Sequence, residues 1–255
     1  MKNDEHSNKG RIISLNIDLI GYENAIQAII SQGKSRKPGY ACFANVHMTI
    51  EAYWDKLFSE QVNNATFVFA DGMPLVKTLM LLYGVKQDRV AGMDVMPELI
   101  NRAHEHDLRI FFFGTTPELL ERIRVRMQKE FSSVQIAGMI SPPFNTSLDD
   151  DSYVNAINSS GANLVFVALG CPKQEKWMAR NFQRVNAVLL GVGGAFPVFA
   201  GTATRAPVFM QKLALEWLYR LMQEPVRLFK RYFITNTLFV FLVLKMKAGI
   251  YFSKS

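Results

Sequence analysis

The sequence predicts an α/β fold: a mostly parallel sheet flanked by helices, followed by a C-terminal helical appendage. Three observations lead there. Short apolar runs recur up to about residue 200, each closed by a polar or glycine-containing turn. Patterns of helical period follow several of these turns. From Pro207 onward helical patterns continue without intervening strands, interrupted at Pro225. Runs that are apolar throughout, and not alternating, mark strands covered on both faces, as parallel sheets require.

In order, the runs are Ala41 to Ala44, Thr66 to Ala70, Ile110 to Phe113, Leu164 to Leu169 and Ala187 to Val192. They end at Asn45, Asp71-Gly72, Gly114, Gly170 and Gly193-Gly194. Pro117 and Pro172 stand near the first turns of following helices, where a missing N–H costs little. Phe111 to Phe113 are expected in the core. The stretch GMISPPFNTSLDDDS, residues 138–152, reads as a loop because of its Pro, Ser and Asp content. The predicted units are residues 1–204, an α/β domain, and residues 205–255, a basic amphipathic helical appendage.

At 255 residues and 49% hydrophobic, the chain can bury one substantial core. The first ten residues, MKNDEHSNKG, lack the apolar stretch of a secretory signal, so a cytoplasmic location is expected. Cys42 and Cys171 have no partners at metal-ligand spacing, which points to reduced thiols. The net charge of +7 lies wholly in the segment from Arg205 onward, where nine Lys and Arg face two Glu. These cations are interleaved with Phe, Leu, Trp and Tyr and lead into LFVFLVL at 238–244, which disfavours nucleic acid as the partner. Seven apolar residues are too few to cross a bilayer, which takes roughly 20. A helix lying on an anionic membrane surface is the expectation.

Ligands of open parallel sheets gather at the carboxyl ends of the strands, so the residues just after each run are the site candidates. FANVHM supplies Asn45 and His47, the latter a sugar-hydroxyl contact or a structural histidine. In FADGMPLV, Asp71 suits a general base, or a helix cap, with Gly72 allowing close approach of a ligand. In RVAGMDVM, Arg89 could neutralise a phosphate and Asp94 accept from hydroxyls, or the two could form a surface ion pair. Gly114 ends its strand. VALGCPKQEKW places Lys173, Gln174 and Glu175 in the first turn of a helix, where free N–H groups and the dipole favour phosphate. Glu175 would oppose an anion and is assigned to hydroxyls or capping. Gly191, Gly193 and Gly194 allow backbone to approach a ligand, but Phe196 stands where the dinucleotide fingerprint needs its third Gly. The triplet Asp149 to Asp151 is read as helix capping, with no metal site expected.

Taken in order, FANVHM, FADGMPLV, RVAGMDVM, FFFGTTPE, VALGCPKQEKW, GVGGAFPVFAG and RAPVFMQKLALEWLYRLMQEPVRLFKRY resemble the WecG/TagA/CpsF family of bacterial glycosyltransferases. The likeness covers about residues 12 to 232 and implies a Rossmann-like core. It implies an inverting, metal-independent transferase without cofactors, moving a sugar from a UDP-sugar to a polyprenyl diphosphate-linked saccharide in exopolysaccharide, capsule or related synthesis. The acidic residue of the ADG motif, here Asp71, is then the base. The tail would dock on the inner membrane face and close the acceptor site with arginines, here Arg205, Arg220, Arg227 and Arg231. The last three follow at i, i+7 and i+11, one helical face if Pro225 only kinks the helix. Phe43 stands where many relatives carry Thr, and Pro197 where many carry Asp, which leaves the donor sugar open. Two other readings are a nucleotide-sugar-modifying enzyme, opposed by the missing GxGxxG, and a non-catalytic scaffold that binds UDP-sugars at the membrane. Apolar surface where the tail folds over the core also allows a homo-oligomer.

Overall fold

A computed structural model describes residues 9–143, 148 and 151–253. The chain opens with an antiparallel hairpin, β1 (Lys9–Ile12) and β2 (Leu15–Asp18). It then alternates as expected: α1 (Tyr22–Lys34), β3 (Gly39–Ala44), α2 (Val46–Trp54), α3 (Lys56–Asn63), β4 (Phe67–Ala70), α4 (Met73–Tyr83) and α5 (Gly92–Ala103). The second half runs β5 (Ile110–Gly114), α6 (Pro117–Glu130), β6 (Ile136–Ile140), α7 (Asp151–Ser160), β7 (Leu164–Ala168), α8 (Lys173–Asn181) and β8 (Val188–Gly191). Four helices close the chain: α9 (Ala195–Phe199), α10 (Val208–Lys212), α11 (Glu216–Gln223) and α12 (Pro225–Ser253).

The six strands β4-β3-β8-β7-β5-β6 form one sheet in which every pairing is parallel. Alternation splits each strand between two cores. Tyr40, Cys42, Ala44, Phe111 and Phe113 face α2, α3, α4 and α8, whereas Ala41, Phe43, Ile110 and Phe112 face α1, α5, α6 and α9. Phe111 to Phe113 are core, as their run predicted. β2 covers the β4 edge, where Asp18 Oδ2 accepts from the Val68 N–H at 2.6 Å, removing an exposed strand edge.

Two local expectations are corrected. Residues 138–140, taken for a loop, belong to the edge strand β6. Gly138 is there for packing: a Cβ would lie 2.4 Å from the Phe111 ring. A half-buried edge strand carrying a Gly lacks the apolar run that marks the central strands. The second correction concerns the tail. At Glu224 the backbone turns to φ −135°, ψ 63°, so Pro225 starts a new helix and is not a kink. Arg220 sits on α11, while Arg227 and Arg231 sit on α12.

α12 is longer than its apolar centre suggested. Residues Leu228–Gly249, 22 in all, are long and apolar enough to cross a membrane by length and composition. In this fold, however, the helix packs on α2 and α4 and buries Leu228, Thr235, Phe239, Leu242 and Val243. Its far end is tied down too: Lys247 Nζ donates to Leu81 O at 2.8 Å, and Met246 Sδ accepts from the Ile13 N–H at 3.2 Å.

Candidate active site

The carboxyl ends of β3, β4, β7 and β8 open on one cavity of about 810 Å³, closed from above by residues of α10, α11 and α12. Asn45, His47, Asp71, Arg89, Gln174, Glu175, Gly193, Gly194, Arg205, Arg220 and Arg231 all line it. Three candidates do not. Lys173 points to solvent. Gly114, at φ 115°, serves strand packing, since a Cβ there would meet Ala168 O at 2.4 Å. Asp94 stands behind the wall and acts through arginines. The side chain of Arg227 and the residues Asp149 and Asp150 lie outside the described residues. Asp151 opens α7 and pairs with Arg184 at 2.7 Å.

Asp71 leaves β4 with its N–H bound to Ala44 O at 2.9 Å, which fixes its backbone between β3 and β4. Its carboxylate accepts no hydrogen bond among the described residues. Gly72, and not Asp71, is the N-cap of α4, so the capping alternative is not what this residue does. Burial pushes its pKa up to about 7, against the pull of Arg89 and Arg220, while Glu216 and Asp94 push the same way as burial. A carboxylate poised near neutrality, free of partners and facing a cavity, can take a proton from a bound hydroxyl.

The arginines divide into two classes. Arg89 donates to Glu216 Oε1 at 2.7 Å, Asp94 Oδ2 at 2.9 Å and Gln211 Oε1 at 3.2 Å. Arg205 clasps Asp94 through both guanidinium nitrogens, at 2.5 and 2.9 Å. Burial opposes ionisation of Asp94, but hydrogen bonding and charge from Arg205, then Arg89, hold its pKa below the usual value. The charges of Arg89 and Arg205 are therefore largely balanced by the carboxylates of Glu216 and Asp94. Arg220 and Arg231 form no ion pair among the described residues. Arg220 reaches Met93 Sδ at 3.6 Å and lies over Gly194, where an added Cβ would stand 3.4 Å from its Nη2. Arg231 stacks beside Tyr232, with its Nε buried and unpartnered. Two guanidinium groups without an ion-pair partner among the described residues can hold an anion in this cavity.

His47 is neutral at physiological pH, because burial and then the charge of Arg231 lower its pKa to about 4. Its 3.7 Å approach to Glu51 is thus no ion pair, and its Nδ1 is buried without a partner. Asn45 caps α2 by accepting from the Met48 N–H at 3.1 Å. Gln174 braces the loops: it accepts from the Gly170 N–H at 3.2 Å and donates to Gly191 O at 2.9 Å and Glu175 Oε1 at 2.8 Å. Gly193 makes room for that amide, as a Cβ would come within 2.7 Å of Gln174 Oε1. Glu175 is fully buried with Oε2 unpartnered, and burial raises its pKa to about 7 against the hydrogen bond from Gln174.

Sequence reading missed Glu216, Trp217, Tyr232 and Asn236 as cavity residues. One signal for Glu216 was available: it is one of only two acidic residues in a basic tail, and a lone acid there needs a cation elsewhere in the molecule.

A family model for the glycosyl transferase WecG/TagA/CpsF family matches residues 10–251. A Bacillus spizizenii protein named N-acetylglucosaminyldiphosphoundecaprenol N-acetyl-beta-D-mannosaminyltransferase is 31% identical over 193 residues, covering 75% of this chain and 74% of that protein. A Staphylococcus aureus protein of the same name is 32% identical over 185 residues, covering 71% and 70%. A cavity at the strand ends, with a partnerless carboxylate below and unpaired arginines above, thus accompanies a match over nearly the whole length, and this chain belongs to the WecG/TagA/CpsF family of glycosyltransferases.

Proposed function

We propose that this protein moves a sugar from a UDP-sugar to a polyprenyl diphosphate-linked saccharide, in exopolysaccharide, capsule or related cell-surface polysaccharide synthesis. The two relatives above carry, in their names, a diphosphoundecaprenol-linked acceptor and a mannosaminyl donor group. The observation that carries the reading is the facing pair of features in one cavity: Asp71 with a pKa near 7 and the unpaired Arg220 and Arg231. The reaction is a single displacement with inversion. Asp71 takes the acceptor hydroxyl proton as that oxygen attacks the anomeric carbon. The bond to the UDP oxygen breaks on the opposite face, and cationic side chains absorb the charge left on the diphosphate. Arg220 and Arg231 meet that need without a metal ion.

The protein acts at the cytoplasmic face of the membrane, lying on it through α10 to α12. Exposed Phe229, Phe233, Phe241, Val208 and Phe209 on these helices, together with Lys230 and Lys245, support an interfacial position. The buried stripe of α12 argues for lying over spanning, because a spanning helix would have to leave α2 and α4.

The test is UDP release from a panel of UDP-sugars, with a polyprenyl diphosphate-sugar as acceptor, with and without EDTA. Acceptor-dependent release that survives EDTA is expected, and the panel names the donor. Release abolished by EDTA and restored by a divalent cation ends the metal-independent reading, and release from no donor ends the transferase reading.

A further inference from the structure

His47 lines the cavity, but the displacement proposed above does not use it. It enters from the first turn of α2. The cap of that helix, Asn45, stands beside the turn that carries Asp71: a Cβ on Gly72 would lie 3.8 Å from Asn45 Cβ. α2 also packs on α12, and the charge of Arg231 on that helix reaches the imidazole. His47 thus occupies the stretch of wall between the base and a cation assigned to the leaving diphosphate. Neither of its ring nitrogens forms a hydrogen bond among the described residues. Nδ1 is enclosed 3.7 Å from Glu51 Oε1, too far to bond. Other amide and hydroxyl side chains around Asp71 are engaged with the chain itself: Asn45 Oδ1 caps α2, Thr78 donates to Pro74 O at 2.8 Å, and the Gln174 amide bridges Gly170 and Gly191.

In a single displacement the transferred sugar lies between the attacking oxygen, held at the base, and the departing diphosphate. His47 lines that interval. A neutral imidazole carries one donor and one acceptor, the same pair that a hydroxyl presents, whereas a phosphate or a carboxylate only accepts. Burial and the charge of Arg231 keep the ring neutral, so the guanidinium suits an anion and the imidazole beside it suits an uncharged group. Resting on the transferase reading above, we infer that His47 hydrogen-bonds one hydroxyl of the transferred sugar and so sets which UDP-sugars the protein accepts. A donor lacking that hydroxyl leaves the imidazole enclosed without a partner, which lowers kcat/KM by roughly 5- to 150-fold.

The experiment uses the full chain with UDP-glucose and UDP-N-acetylmannosamine, each beside its monodeoxy analogues, and reads UDP release in the presence of acceptor. In the wild type one analogue should fall roughly 5- to 150-fold below its parent in kcat/KM. His47→Ala should bring that one ratio toward one and leave the ratios at the other ring positions as they were. His47→Gln, which keeps a donor and an acceptor, should retain part of it, and Glu51→Ala, at the neighbour outside the cavity, should change none. A His47→Ala loss equal for the parent and every analogue overturns the inference, since a role in folding or in holding the diphosphate would act on all donors alike. A wild type indifferent to every deoxygenation overturns it too, and so does a ratio that collapses for deoxygenated acceptors instead of donors. Those three results leave the transferase reading intact, whereas UDP release from no UDP-sugar removes that reading and this assignment together.

Discussion

The central sheet and the C-terminal helices are built on opposite terms. Every residue of β3, β5, β7 and β8 is buried, whereas α12 leaves Val226, Phe233 and Phe241 at 98%, 66% and 62% exposure. Burial at about 25 cal/mol per Å² of apolar surface holds the sheet, but α11 meets the wall through the ion network of Glu216, Arg89, Asp94 and Arg205. The functional groups divide the same way. Asp71 comes from the end of a sheet strand, and Arg220 and Arg231 come from helices packed over it, α12 joining the core through Phe239, Leu242 and Val243.

The largest effect should come from the sheet side. Asp71→Asn is expected to lower kcat by 10²- to 10⁴-fold with the fold unchanged, checked by UDP release and circular dichroism. In the wild type, kcat/KM should rise with pH and level off near 7, the pKa of Asp71; a profile flat from pH 5 to 8 sinks the assignment of Asp71 as base. Next come the unpaired cations. Arg220→Ala or Arg231→Ala should each weaken diphosphate recognition by roughly 10- to 100-fold in kcat/KM, the scale of a charged hydrogen bond. Equal losses for Arg89→Ala and these two would erase the distinction between balanced and free arginines.

Stability offers a third test, confined to the core. Asp71 and Glu175 both have folded pKa values near 7, above their ordinary 3.8 and 4.5. The folded state therefore holds these protons more tightly than the unfolded chain. Their stabilising contribution is complete below about pH 4 and is lost as pH rises through 7. Glu175→Gln, which keeps a partner for the Gln174 amide, should raise Tm at pH 8 more than at pH 5; an equal shift at both would show that Glu175 is ionised throughout. Smaller effects are expected in the helices. Glu216→Gln removes one partly exposed ion pair, about 1 kcal/mol or less, and should raise proteolytic cleavage around α11 more than it lowers Tm. The smallest belongs to Lys230→Glu or Lys245→Glu, each weakening binding to anionic vesicles by about 1 kcal/mol in a sedimentation assay.

The sheet was legible because parallel strands are apolar throughout and end in turns, so local composition reports them directly: the five runs became β3, β4, β5, β7 and β8. β6 and the β1–β2 hairpin were not legible, because they are only partly buried and so lack the continuous apolar run of the central strands. Asp71 could be nominated because a strand end is a sequence position. Which arginine is free is not one. RVAGMDVM and LEWLYRL lie more than a hundred residues apart, and only folding brings Glu216 onto Arg89 and leaves Arg220 bare. The sequence by itself determined the α/β class, the family and the list of polar groups, because these follow from local pattern. The tertiary structure alone decided how their charges cancel, which pKa values rise and where the cavity leads, because those depend on burial and on partners remote in the chain.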